Sequence, residues 1–69
     1  MADKATQPQR FIRIKEVLSI TSLSKSDLYR RISEGTFPAQ VKLGPMTTAW
    51  QEGEVRAWMD ARIAERGAA

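Results

Sequence analysis

The chain contains no cysteine and no histidine. Disulfide frameworks, thiol nucleophiles, zinc fingers and imidazole acid–base chemistry are thereby excluded. A metal site would have to rest on carboxylates alone, and these are scattered singly along the sequence. No apolar run approaches the roughly 18 residues that a membrane span needs, and the N-terminus lacks the apolar segment of a signal peptide. At 69 residues the chain has room for one domain, and a domain this small buries only a modest part of its surface. A deep catalytic cleft is not expected, and no catalytic residue, metal or cofactor is assigned. Hydrophobic residues make up 42% of the chain, which suits a folded domain rather than a disordered one. The expected class is a small soluble cytoplasmic binding module.

The formal charge of +3 is unevenly placed. Asp3 and Lys4 cancel within residues 1–9. Residues 10–42 hold Arg10, Arg13, Lys15, Lys25, Arg30, Arg31 and Lys42 against Glu16, Asp27 and Glu34, a net +4. Residues 43–69 hold three arginines against four carboxylates, a net −1. A basic excess confined to one segment points to a polyanionic partner more strongly than the overall charge does.

Hydrophobic periodicity divides the chain into short elements. Residues 1–10 are polar and without period, and are expected to form a flexible tail. Phe11-Ile12-Arg13-Ile14 favours a strand. Ile14, Val17, Leu18 and Thr21 then form one stripe of a helix over about residues 15–20. Ser22-Leu23-Ser24 interrupts it. Ser24 and Asp27 resemble a capping box for a second helix, predicted over 25–34, with Leu28 and Ile32 one turn apart. Gly35 suits the left-handed residue that ends it, and Pro38 prevents continuation. Two helices joined by so short a turn have helix-turn-helix spacing. Val41-Lys42-Leu43, a Gly44-Pro45 turn and Thr47-Thr48-Ala49-Trp50 predict a hairpin with its tip at residues 44–46. Val55, Trp58, Met59 and Ile63 predict a last helix over about 52–65, with Gly67 just beyond. Phe11, Phe37, Trp50, Trp58 and Met59 are assigned to the core. The expected fold class is α+β: a small winged helix-turn-helix of three helices, with a short N-terminal strand and a β-hairpin wing. Its domain would span residues 11–66, with residues 67–69 as a C-terminal tail.

At about 100° per residue, Ser26, Arg30 and Ser33 lie opposite the Leu28–Ile32 side of the second helix, with Tyr29 on its flank. Any exposed helix face is polar, so this alone does not define a site. It does supply what a major-groove reader needs. Arginine can donate two hydrogen bonds to guanine, serine can bond base edges or phosphate, and a helix N-terminus offers free N–H groups to phosphate.

The residues also carry a family pattern. One half is Arg13-Ile14-Lys15-Glu16-Val17-Leu18, Thr21, Leu23-Ser24-Lys25-Ser26-Asp27-Leu28-Tyr29-Arg30 and Gly35-Thr36-Phe37-Pro38. The other is Val41-Lys42-Leu43-Gly44, Ala49-Trp50, Glu54-Val55 and Ala57-Trp58. Over about residues 11–66 the chain strongly resembles the AlpA family of prophage-associated DNA-binding regulators, among the MerR-like and excisionase-like winged helices. The resemblance implies that the second helix enters the major groove of double-stranded DNA. It implies DNA contacts at Ser24, Ser26, Tyr29 and Arg30, with Lys25 as a phosphate partner and Arg31 completing the set on the helix. The chain departs from the family at the wing tip, where Met46 stands in place of a frequent arginine. Lys42, Thr47 and Thr48 are the remaining wing candidates.

Family members act as transcriptional regulators or as excisionases in DNA recombination. A mobile-element protein of either kind, associated with the bacterial nucleoid, is the expected function. Self-association on repeated DNA sites and an integrase partner are expected alongside it, because one small module reads few bases. The alternative is a protein-interaction module, antitoxin-like or anti-repressor, without direct DNA readout.

Overall fold

A computed structural model describes residues 10–68. Of the tail expected over residues 1–10, residues 1–9 lie outside the described residues, as does the last residue of the chain. The element order is β1 (Phe11–Ile12), α1 (Ile14–Thr21), α2 (Lys25–Glu34), β2 (Val41–Gly44), β3 (Thr47–Gln51) and α3 (Glu52–Ala68). The three strands form one antiparallel sheet in the order β1-β3-β2. Three helices, a short first strand and a β2–β3 wing make this an α+β winged helix-turn-helix.

The core draws one buried side chain from nearly every element. Ile12, Val17, Leu28, Phe37, Trp50 and Val55 form it, and Ile14, Leu18, Ile20, Leu23, Ile32 and Trp58 pack around it. β2 contributes nothing: Val41, Lys42 and Leu43 are exposed. The wing is therefore held by its ladder with β3 and projects from the packed body. Its register slips between Lys42 and Gly44, a bulge that strengthens local twist and blunts an edge strand. Trp50 is only 1% exposed and donates its indole N–H to the Pro38 carbonyl at 3.2 Å. The bond closes the loop between α2 and the wing. Trp58 donates in the same way to the Thr36 carbonyl at 2.6 Å, and its ring meets Phe37 edge-on at 4.8 Å.

Both helices of the helix-turn-helix end on left-handed residues. Gly35 has φ 78°, its N–H bonds Ile32 O, and Thr36 N–H bonds Arg31 O. This pair of bonds is a Schellman closure. At the end of α1 the same conformation falls on a serine: Ser22 has φ 64° and donates its N–H to Leu18 O. A left-handed conformation costs an L-residue about 1–2 kcal/mol. Ser22→Gly relieves that strain at some cost in unfolded-chain entropy. We expect a net gain of about 0.5–1 kcal/mol, read as a higher denaturant midpoint with unchanged slope. An unchanged or lower midpoint would show that Ser22 carries no strain.

Several sequence expectations are corrected. β1 stops at Ile12 because Arg13 already serves as the N-cap of α1. α3 continues through Gly67 to Ala68 instead of ending at Glu65. Its apolar stripe outruns the core, leaving Ile63 54% exposed. Phe11, expected inside, is 46% exposed. Phe11 pairs with Gln51 and Ile12 with Trp50, so alternation sends Ile12 to the core face and Phe11 to the outer face.

Arg10 is tied to the body. Its carbonyl accepts from Glu52 N–H at 2.8 Å, and its guanidinium lies 2.9 Å from Glu52 Oε1 and 3.6 Å from Glu16. Arg56 holds the other Glu52 oxygen at 2.8 Å. The hydrogen bond from Arg56, then that from Arg10, pulls the Glu52 pKa below the ordinary value. Lowering it in the folded state means that the unfolded chain takes up a proton first as pH falls. The contribution is complete well above the ordinary glutamate value of about 4.3 and is lost as pH drops through that value towards the folded one. Thermal melts of the chain and of Glu52→Gln should therefore differ at pH 7 and converge towards pH 3. A constant difference across that range would exclude Glu52 as the cause.

Candidate nucleic-acid interface

α2 is built to present one face. Ser24 caps it, accepting from Asp27 N–H at 3.1 Å through its side chain. The hydroxyl hydrogen of Ser24 stays available to an outside acceptor. Leu28 is fully buried and Ile32 packs against the core, fixing the rotation of the helix. Lys25, Ser26, Arg30 and Ser33 are exposed. Tyr29 is 39% exposed and leans towards the sheet, its ring 6.5 Å from Trp50 at a 58° tilt. The outward face thus has a wing-side border at Tyr29.

Strand alternation sorts the wing candidates. Thr48 lies two residues before Trp50 and shares its face of the sheet, the side that carries Tyr29 and α2. Lys42 pairs with Thr48 and joins it there. Thr47 shares the opposite face with Ala49, which is itself buried. Of the two threonines, Thr48 is on the helix side and Thr47 is not. Met46 stands at the tip, 90% exposed.

The arginines of α2 are not bare charges. Arg30 is held between two carboxylates on its own helix: one terminal nitrogen bonds Asp27 Oδ1, and the other reaches Glu34 at 3.3 Å. The Glu34 hydrogen bond, with the negative charges of Asp27 and Glu34, pushes the Arg30 pKa up, so it is cationic at every working pH. Arg31 points to the other flank. Its Nε lies 3.3 Å from Asp27 Oδ1 without hydrogen-bond alignment, and its guanidinium sits 5.7 Å from the Trp58 ring centre. Arg62 approaches the same ring at 5.3 Å. Arg31 therefore faces α3, not the Ser26–Arg30–Ser33 surface.

Among the described residues, the cations without an ion pair are Arg13, Lys15, Lys25, Lys42 and Arg66. Four of these five lie in the +4 segment. Arg13 and Lys15, at the start of α1, belong to the family pattern and to the basic segment but are not among the contact candidates of the sequence analysis. Arg13 caps α1 without a side-chain bond to it. Among the described residues no three acidic side chains gather to hold a metal ion, and no helix is long and apolar enough to cross a membrane.

Fold and site together define a winged helix-turn-helix with a capped, outward-facing second helix. Residues 10–63 match the family model described as "Prophage CP4-57 regulatory protein (AlpA)". The match covers most of the chain, and the protein belongs to this family of prophage regulatory proteins. It is similar to the uncharacterized protein ORF88 of Enterobacteria phage P4, 48% identical over 58 residues. That alignment covers 84% of this chain and 66% of the phage protein, just under two thirds of its length. No solved structure gives a significant match.

Proposed function

We propose that the chain is a sequence-specific double-stranded DNA-binding regulator of a prophage or integrative element, with α2 as its major-groove helix. The observation that carries this reading is the capped face of α2. Ser26, Arg30 and Ser33 point outward, Ser24 and Lys25 stand at its positive end, and Lys42 and Thr48 lie on the same side of the wing. Ser24, Lys25, Tyr29, Lys42 and Thr48 are the phosphate-positioning set, and Ser26 and Arg30 the base-reading pair. Arg31 and Thr47 join only at the borders: Arg31 would have to leave Trp58, and Thr47 faces away from α2. Membership in the AlpA family supports the regulatory role.

Within that reading, an excisionase role and a promoter role use the same contacts. Self-association on repeated sites follows from the small number of bases one module can read, and an integrase would be the partner in recombination. Footprinting on DNA flanking the gene and on the element's attachment site tests all of this. Protection at a promoter marks a regulator, and an array beside the attachment core marks an excisionase. A single half-turn footprint filled by one monomer would exclude self-association. DNA affinity should also fall steeply with salt, with a log–log slope of about −0.9 for each phosphate contacted. A flat salt response would overturn the DNA reading.

The protein-interaction alternative has one observation in its favour. Phe11, Val41 and Leu43 are exposed at 46%, 36% and 48%, and Phe11 and Val41 share the outer face of the sheet. A flat salt response together with protein capture that is lost in Phe11→Ser would favour it.

A further inference from the structure

We infer that Asp27 is a specificity-determining residue of α2, acting on DNA through Arg30 rather than by touching DNA itself. The inference rests on the DNA-binding reading above and adds to it the way one arginine tells a base from a phosphate.

The argument starts from the donors of Arg30. A guanidinium carries five N–H groups. In this structure one terminal nitrogen bonds Asp27 Oδ1 and the other shares a bond between the two Glu34 oxygens, at 3.3 and 3.4 Å. One N–H on each terminal nitrogen and the N–H on Nε are not used in these bonds. Arg30 therefore keeps donors for an outside partner while its plane is fixed from both ends. Its side chain is 57% exposed, so the partner has access.

Charge decides which partner is accepted. Asp27 and Glu34 flank Arg30, and with Arg31, which shares Asp27, the four charges sum to zero, so Arg30 has no uncompensated positive charge to offer an anion. A phosphate brought to Arg30 meets two carboxylates at close range, and like charges at such a contact suppress the wrong partner. A guanine edge is neutral and presents two acceptors, O6 and N7, which match an oriented guanidinium. The acidic pair thus lowers the general attraction of Arg30 for DNA backbone and leaves its preference for a base. Without it, Arg30 would swing to the nearest phosphate and add affinity for every sequence. Asp27 has a further hold on this arrangement, because the same oxygen lies 3.3 Å from Arg31 Nε. Arg31 in turn lies 5.7 Å from the Trp58 ring centre, so Asp27 has a second cation drawing it towards the body of the fold.

The test begins with the full chain selecting duplexes from a random-sequence pool. Affinities for the selected duplex and for random duplex are then measured across a salt series, for the parent, Asp27→Asn, Glu34→Gln and Glu65→Gln. Glu65 pairs with Arg62 on α3 and not with Arg30, and controls for the loss of one negative charge. Asp27→Asn should bind random duplex more tightly, with a salt slope steeper by about 0.9, the value for one added phosphate. Its ratio of selected to random affinity should fall about tenfold, the size of one lost bidentate base contact. Glu34→Gln should move both quantities in the same direction by less, and it decides the matter if Asp27→Asn does not fold. Ratio and slope unchanged in both variants, or changed equally in Glu65→Gln, would overturn the inference while leaving DNA binding intact. A parent chain that selects no duplex overturns the DNA reading and this inference together.

Discussion

Trp50→Ala should unfold the domain at room temperature. Among the described residues Trp50 is the largest fully buried side chain, belongs to the core cluster and pairs across the sheet with Ile12. Removing a buried tryptophan side chain costs about 3–5 kcal/mol, through lost burial and the cavity left behind. A single core in a chain below about 70–80 residues rarely supplies more than about 3–5 kcal/mol in total. The loss equals the whole stability, so helical circular dichroism and the cooperative melt should both disappear. Trp50→Phe separates packing from the indole bond. It keeps most of the ring volume but leaves the Pro38 carbonyl without its donor, a loss of about 1–3 kcal/mol, and it should remain folded with a lowered midpoint. A Trp50→Ala chain that melts cooperatively within a few degrees of the parent would mean that the core does not centre on this residue.

The second large effect concerns binding. Arg30→Ala should weaken the selected DNA site by about 1–3 kcal/mol, roughly 5- to 150-fold, while changing random-sequence affinity little. The fold should not suffer, since the Asp27 and Glu34 pairs are exposed and such pairs are worth about 0–1 kcal/mol. Arg30→Lys should not restore the site, because an ammonium is a point charge and cannot reproduce a planar pair of donors. Equal losses on selected and random DNA would reassign Arg30 to phosphate. No loss on either would remove α2 from the groove. The two substitutions thus probe different links of one chain: Trp50 fixes the helix and wing together, and Arg30 uses the face so presented.

Much of this architecture is legible in the sequence alone. The bounds of α2 follow from Ser24 and Asp27 at one end and Gly35 and Pro38 at the other, because caps and breakers are local signals. The wing follows from the Gly44-Pro45 turn between two β-favouring runs. Where the reading failed, the deciding physics was not local. Phe11 and Ile12 are equally apolar, and only pairing with Gln51 and Trp50 settles which faces the core. Ile63 continues the period of Val55 and Trp58, but the period cannot show that the core ends first and leaves it 54% exposed. Gly67 reads as a stop, yet among the described residues the helix runs through it to Ala68.

The candidate site divides in the same way. The basic excess of residues 10–42 is a property of the sequence, as are the absence of cysteine and histidine and the polar face of α2. Composition and helical periodicity fix these, and both can be counted along the chain. Which cations remain uncompensated is set by the tertiary structure. Glu52 neutralises Arg10 across 42 positions, and Trp58 draws Arg31 towards α3. Thr47 and Thr48, neighbours in sequence, are sent to opposite faces of the sheet. Pairs three or four residues apart on one helix, as at Arg30, Arg31, Arg56 and Arg62, follow from spacing, but the compensation of Arg10 and the turn of Arg31 towards Trp58 depend on distances between groups remote in sequence, which only folding sets.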